Sequence, residues 1–235
     1  MQNNVNNKEK LNETTKSNIN DLGTVTLGND IANESKNAIQ LISIIGEIEG
    51  HESASNNVKT TKYEHLLPFL ASIEDNADIK GVLIILNTLG GDVEAGLSIS
   101  EMIASLSKPT VSLILGGCHS IGAPLAVAAD YSFVVPSGTM VIHPVRTSGQ
   151  FIGVVQSFRN IVKTQDRITQ FIATHSKITV ARLETLMLDS NELVKDVGTL
   201  LTGQDMVREG IISEVGGIKE AVKKIHELIN KNDEH

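Results

Sequence analysis

The chain has 235 residues, 40% of them hydrophobic but only 3% aromatic, enough for one sizeable core built from Ile, Leu, Val and Ala. Its formal net charge of -8 argues against a nucleic-acid backbone partner, which would need a basic face, and more weakly against an anionic membrane surface. The single cysteine, Cys118, excludes an internal disulfide and a zinc-thiolate site.

One cysteine fits a reducing, cytoplasmic setting. The N-terminus shows no basic region followed by an apolar core, so no secretory signal is expected. No run of 18 or more apolar residues exists, and no transmembrane helix is expected. Residues 1–38 are rich in Asn, Lys, Glu, Ser and Thr, and read as a disordered polar tail that cannot bury enough apolar surface to offset chain entropy. Its one apolar patch, Val25-Thr26-Leu27, leaves room for a short strand. Residues 39–235 read as a single folded domain.

The folded part opens with the β-branched run Leu41–Gly46, a buried strand. A polar loop over 52–60 leads to helical spacing over 63–73. Gly81–Asn87 is a second buried strand, turning at Leu89-Gly90-Gly91-Asp92 into a helix over 93–106. A third strand, Thr110–Leu115, meets the tight turn Gly116-Gly117 before a small-residue helix from about Ser120 to Ala129. Short strands follow at 132–135 and 139–142, then a long amphipathic segment over 151–175. Further helices are expected near 179–187, 204–209 and 217–230. Strands alternating with helices predict an α/β fold with parallel strands and right-handed crossovers.

Three segments could carry chemistry. The glycines of Asn87-Thr88-Leu89-Gly90-Gly91-Asp92 follow a strand and precede a helix, where backbone N–H groups can bind an anion or a developing oxyanion. An ordinary strand-to-helix turn has the same signature. Gly116-Gly117-Cys118-His119-Ser120-Ile121-Gly122 repeats the plan and would expose the Ser120 hydroxyl at the carboxyl edge of the sheet, where ligands bind in such folds. A serine there is more commonly an N-cap, and Cys118 occupies the place where an α/β-hydrolase elbow requires Gly. His143 ends a strand and is held by Pro144. A serine hydroxyl needs a base to become a nucleophile, and a neutral imidazole is suited to that.

Taken in order, Asn87-Thr88-Leu89-Gly90-Gly91-Asp92-Val93-Glu94-Ala95-Gly96, Leu115-Gly116-Gly117-Cys118-His119-Ser120-Ile121-Gly122 and the His143 strand resemble the proteolytic subunit of Clp protease and its serine-peptidase relatives. The translocation-enhancing branch of Gram-positive spore formers is the nearest likeness. The resemblance covers about residues 41–230 and implies a ClpP/crotonase-like fold of repeated β-β-α units in a superhelix, with a protruding handle helix near 151–175. It implies Ser120 as nucleophile, His143 as base and later acid, and the N–H groups of Gly91 and Ile121 as oxyanion hole. Residues near 149–153 would line a peptide channel.

The third triad member is open. The family places an Asp three residues before a segment matching Leu201-Thr202-Gly203, where this chain has Gly198. Asp196 is the nearest carboxylate and Asp189 the second candidate; a Ser–His dyad or an inactive site are the alternatives. Leu89 replaces the usual Pro, and His119 stands where a small residue is common. In a helical turn His119 would point about 100° away from Ser120; otherwise it would crowd the site.

No cofactor and no metal site is expected: the remaining histidines show no ligand spacing, and no Gly-Lys-Ser/Thr follows either glycine pair, so ATP hydrolysis is not expected. The expected activity is a serine endopeptidase acting on peptides or unfolded proteins, assembled as a homo-oligomeric ring. An ATP-dependent unfoldase would be the partner for folded substrates. The alternatives are a crotonase-like acyl-CoA enzyme and an inactive scaffold or export factor.

Overall fold

The structure, a computed structural model, describes residues 25–27, 38–52, 54–55, 57–147, 152–189 and 198–232. The strands are β1 (Val25–Leu27), β2 (Ala38–Glu49), β3 (Thr60–Lys62), β4 (Ile79–Gly91), β5 (Thr110–Cys118), β6 (Tyr131–Val134), β7 (Thr139–Ile142), β8 (Thr199–Thr202) and β9 (Glu214–Val215). The helices are α1 (Tyr63–Asp75), α2 (Val93–Ala104), α3 (Gly122–Val127), α4 (Val154–Thr174), α5 (Val180–Met187), α6 (Gly203–Arg208) and α7 (Ile218–Asn232).

The main sheet runs β1-β2-β4-β5-β6-β9, with every pair after β1 parallel. Its central strands are near-continuous Ile, Leu and Val because both faces are covered. Along β4 the pleat sends Val82, Ile84 and Leu86 into the larger core with Leu66, Leu70, Ile99 and Ile103 of α1 and α2. Leu83 joins the opposite core with Val111, Phe133 and, from α7, Ala221, Ile225 and Ile229. Gly81 lets α7 press close: a Cβ there would stand 3.0 Å from Ile225 and Ile229.

β7 and β8 form an antiparallel ribbon, and β7 touches β5 through Gly117 and Thr139. That ribbon brings the His143 segment beside the end of β5. α2 starts where Asp92 Oδ1 accepts the Ala95 N–H at 2.8 Å, fixing the direction of the chain just past the paired glycines.

The structure departs from the sequence reading in detail. β2 begins at Ala38 and extends to Glu49. β3, β8 and β9 were not expected: Thr60–Lys62 and Glu214–Val215 are too short to carry a readable period, and Thr199–Thr202 has no polar-apolar alternation in its sequence. The patch at 25–27 is a strand, pairing antiparallel with Ile39–Leu41. The small-residue helix starts at Gly122, with Ile121 at the N-cap position, and spans six residues. Ser120 therefore lies before that helix rather than at its first turn.

Candidate active site

The glycine turn after β4 is shaped by what a side chain would hit. Gly90 has φ +95 and Gly91 φ +151. A Cβ at Gly90 would stand 2.8 Å from both the His119 carbonyl oxygen and Ser120 Cβ, and one at Gly91 only 2.2 Å from the Ile48 carbonyl oxygen. Buried Thr88 ties the turn down: its hydroxyl donates to the Gly46 carbonyl at 2.6 Å and accepts the Gly90 N–H at 3.0 Å.

The end of β5 is sewn to this turn and to β7. Gly117 N–H donates to Asn87 Oδ1 at 3.1 Å, and His119 N–H to the Thr88 carbonyl at 3.0 Å. Ser120 N–H donates to the Val141 carbonyl at 2.9 Å, and Gly122 N–H to the His119 carbonyl at 2.9 Å. Ser120 has φ +56, the one positive φ outside glycine among the described residues. An L-residue in that region costs about 1–2 kcal/mol, so the surrounding hydrogen bonds must impose it.

His143 follows β7. Its Nδ1 lies 2.7 Å from the Pro144 carbonyl oxygen. A carbonyl can only accept, so Nδ1 carries a proton, and in the neutral ring that tautomer leaves the lone pair on Nε2. The segment after it is held by Gln165 of α4, whose Oε1 accepts the Val145 N–H at 3.2 Å. Gly198 lies against the base of the ring: a Cβ there would be 2.9 Å from His143 Cβ and 2.5 Å from the Ile142 carbonyl oxygen.

Ser120, Ile121, Gly91 and His143 line one cavity of about 250 Å³, with Leu89, Ile142, Ile168, Ile172 and Met187 among its apolar walls. Asp196 lies outside the described residues, as do 149–151 of the expected channel segment. Asp189 uses its main-chain carbonyl to accept the Gly198 N–H at 2.7 Å, and its charge acts on Arg182. The described segments on either side of 190–197 are thus joined beside His143.

His119 neither follows a helical turn nor fills the cavity. Its Nδ1 accepts the Val141 N–H at 2.9 Å, and its Nε2 would be 2.6 Å from a Cβ at Gly117. Burial first, and the neighbouring His143 second, hold its pKa below the ordinary histidine value. Cys118 is fully buried, donates to the Gly122 carbonyl, and has its thiol pKa pushed far up by that burial. Beside the cavity, Arg167 of α4 grips Glu94 of α2 through two bonds of 2.6 and 3.0 Å; these bonds hold the Glu94 carboxyl below its ordinary pKa.

The sequence reading missed Thr88, Asn87, Gln165 and the use of His119. Only for His119 was a signal present: the glycine two places before it leaves a gap that a ring can fill.

Residues 24–219 match the Clp protease family model. The chain is 52% identical over 193 residues to the translocation-enhancing protein TepA of Halalkalibacterium halodurans, covering 82% of this chain and 75% of that one. It is 23% identical over 159 residues to the ATP-dependent Clp protease proteolytic subunit of Leuconostoc citreum, covering 64% and 72%. Among solved structures, a ClpP1 mutant from Listeria monocytogenes superposes with a TM-score of 0.62 at 20% identity, covering 77% of this chain and 94% of that one, which fixes the fold as that of ClpP. With the glycine turn, the strained serine and the histidine strand all inside the matched span, the chain belongs to the Clp protease family.

Proposed function

We propose that the chain is a serine endopeptidase that hydrolyses peptides or unfolded proteins through an acyl-enzyme. The observation that carries this reading is Ser120, held at φ +56 on a cavity it shares with a His143 whose Nδ1 donates to Pro144. In that tautomer Nε2 can take the Ser120 proton as Oγ bonds to the scissile carbonyl carbon. The N–H groups of Gly91 and Ile121 receive the oxyanion. Collapse of the tetrahedral species breaks the C–N bond, and His143 returns the proton to the leaving amine; water then repeats the sequence on the ester. The Pro144 carbonyl serves as the orienting acceptor that a carboxylate provides in other triads. Asp196 and Asp189 are the carboxylates that could add to it.

The cavity walls offer no Asp or Glu among the described residues, which disfavours the acyl-CoA chemistry of crotonase relatives. In the family, rings are usual. The exposed stripe Val154, Val155, Phe158 and Val162 on α4 supports a homo-oligomeric ring joined through this helix, fed by an ATP-dependent unfoldase. No helix among the described residues is long and apolar enough to cross a membrane. One observation favours a second reading, an export factor with a silent site: the relative at 52% identity is named for enhancing translocation.

The test is intact-mass analysis after a fluorophosphonate probe. The expected result is a single adduct on the wild type, none on Ser120→Ala, and labelling slowed about 10³-fold or more in His143→Ala. No adduct on the wild type between pH 6 and 9 would overturn the peptidase reading in favour of the export factor.

A further inference from the structure

The ribbon that carries His143 must be fastened to the turn that carries Ser120, and Val141 is where the two meet. Its carbonyl accepts the Ser120 N–H at 2.9 Å. Its N–H, on the same edge of the strand, donates to the Nδ1 of the His119 ring at 2.9 Å. Two consecutive residues of the nucleophile turn thus engage both polar groups of one residue of β7, the first by its side chain and the second by its backbone. His143 is two residues beyond that clasp.

We propose that His119 is a positioning residue of the hydrolytic site: as a neutral ring it stands in for a backbone carbonyl, clasping β7 to the nucleophile turn and so setting His143 against Ser120. This rests on the peptidase reading above. Three features of the site make the ring specific to the task. The ring occupies the volume that a side chain at Gly117 would fill, since a Cβ there would be 2.6 Å from Nε2. The His119 main chain is itself fixed, N–H to Thr88 and carbonyl to Gly122, so the ring cannot drift with its backbone. An imidazolium could not accept from Val141, and its charge would oppose the proton that His143 must carry in the reaction. Partial burial and the proximity of His143 both favour the neutral ring.

The geometry also distinguishes the replacements. The Oδ1 of Asn can occupy the place of Nδ1, whereas the amide of Gln reaches toward the place of Nε2. Fluorophosphonate labelling of the full chain, resolved into maximal rate and half-saturating concentration, should show His119→Ala slowed about 10- to 100-fold in maximal rate with little change in saturation. His119→Asn should recover to within about fivefold of wild type, and His119→Gln should not. Gly117→Ala should reproduce the His119→Ala loss by expelling the ring. In the His119→Asn background, where no ring is left to expel, it should cost little.

Amide exchange at Val141, followed by NMR or mass spectrometry, reads the clasp directly. It should accelerate at least about tenfold in His119→Ala and His119→Gln but not in His119→Asn. Labelling of His119→Ala within about threefold of wild type, or an Asn variant no better than Gln, would overturn the proposal. A wild-type chain that never labels would overturn the peptidase reading instead, and the Val141 exchange would still decide whether the clasp exists.

Discussion

Gly90→Ala puts the arrangement of the two turns to a quantitative test. The added methyl must adopt φ +95, which costs about 1–2 kcal/mol for an L-residue. It would also stand 2.8 Å from the His119 carbonyl oxygen and from Ser120 Cβ, neither of which is the free end of a flexible chain. Relieving that overlap adds about 1–3 kcal/mol, for roughly 2–5 kcal/mol in all. At about 2–4 °C per kcal/mol the melting temperature should fall by roughly 4–20 °C. The sharper effect is on reactivity. The only ways to relieve the contact are to move Ser120 or to open the glycine turn, and a displacement near 1 Å costs about 10²-fold. Gly210→Ala is the control: φ there is +76, and the new Cβ would meet Lys177, and neither residue lines the cavity. Fluorophosphonate labelling and thermal unfolding of both variants separate the two effects. Gly90→Ala should lose labelling about 100-fold, while Gly210→Ala should lose stability but label within about threefold of wild type. Equal labelling of Gly90→Ala and wild type would refute the placement of the glycine turn against Ser120.

Gly198→Ala should act on the base in the same way, since its Cβ would overlap the Ile142 carbonyl oxygen at 2.5 Å and press on His143. Labelling should fall at least about tenfold, and unchanged labelling would show that the ribbon yields there at no cost to the site. Cys118, fully buried with its thiol pKa raised, should alkylate with iodoacetamide at pH 8 at least about 100-fold more slowly in the native chain than after denaturation, as measured by intact mass. Glu94→Gln should lower the melting temperature by only about 1–3 °C at pH 7, because the Arg167 pair is exposed and screened. The Glu94 carboxyl is lowered in the fold, so its contribution is complete above the ordinary carboxyl value of 4.5. It is lost as pH falls through the lower folded value; wild type and Glu94→Gln should therefore converge in acid.

The parts of this molecule that were legible in the sequence are those written in long apolar runs or in glycine. Gly81–Asn87 has to be a doubly buried strand because nothing else accommodates six consecutive apolar or small residues between polar loops. Gly90 and Gly91 announce a backbone that favours glycine, and Ser120 and His143 reach the same cavity from the ends of two strands that the sequence placed just before them. The ribbon of β7 and β8 was only half visible: Thr199–Thr202 has no period of its own, and pairing with Thr139–Ile142 defines it. The conformation of Ser120 was hidden for another reason. A serine before a small-residue helix reads as a cap, and only the bonds from the His119 N–H to Thr88 and from the Ser120 N–H to Val141 pull it out of the helix into a left-handed backbone. A carboxylate partner for His143 is a residue type that a sequence displays, whereas the main-chain carbonyl of Pro144 beside Nδ1 is one that no sequence can display.

The left-handed backbone at Ser120 also has a consequence for how this protein would age over evolutionary time. The strain is borne by the folded state at all times, yet under the proposed function it is useful only when the hydroxyl reacts. A glycine at this position would release it, gaining up to about 1 kcal/mol in the fold, whereas an alanine would keep the strain and lose only the oxygen. A lineage that no longer needed the hydroxyl would thus meet a one-residue change that makes the protein sturdier. Selection for stability alone runs toward Ser120→Gly, so a serine at this position is held against a standing bias that most surface serines never face.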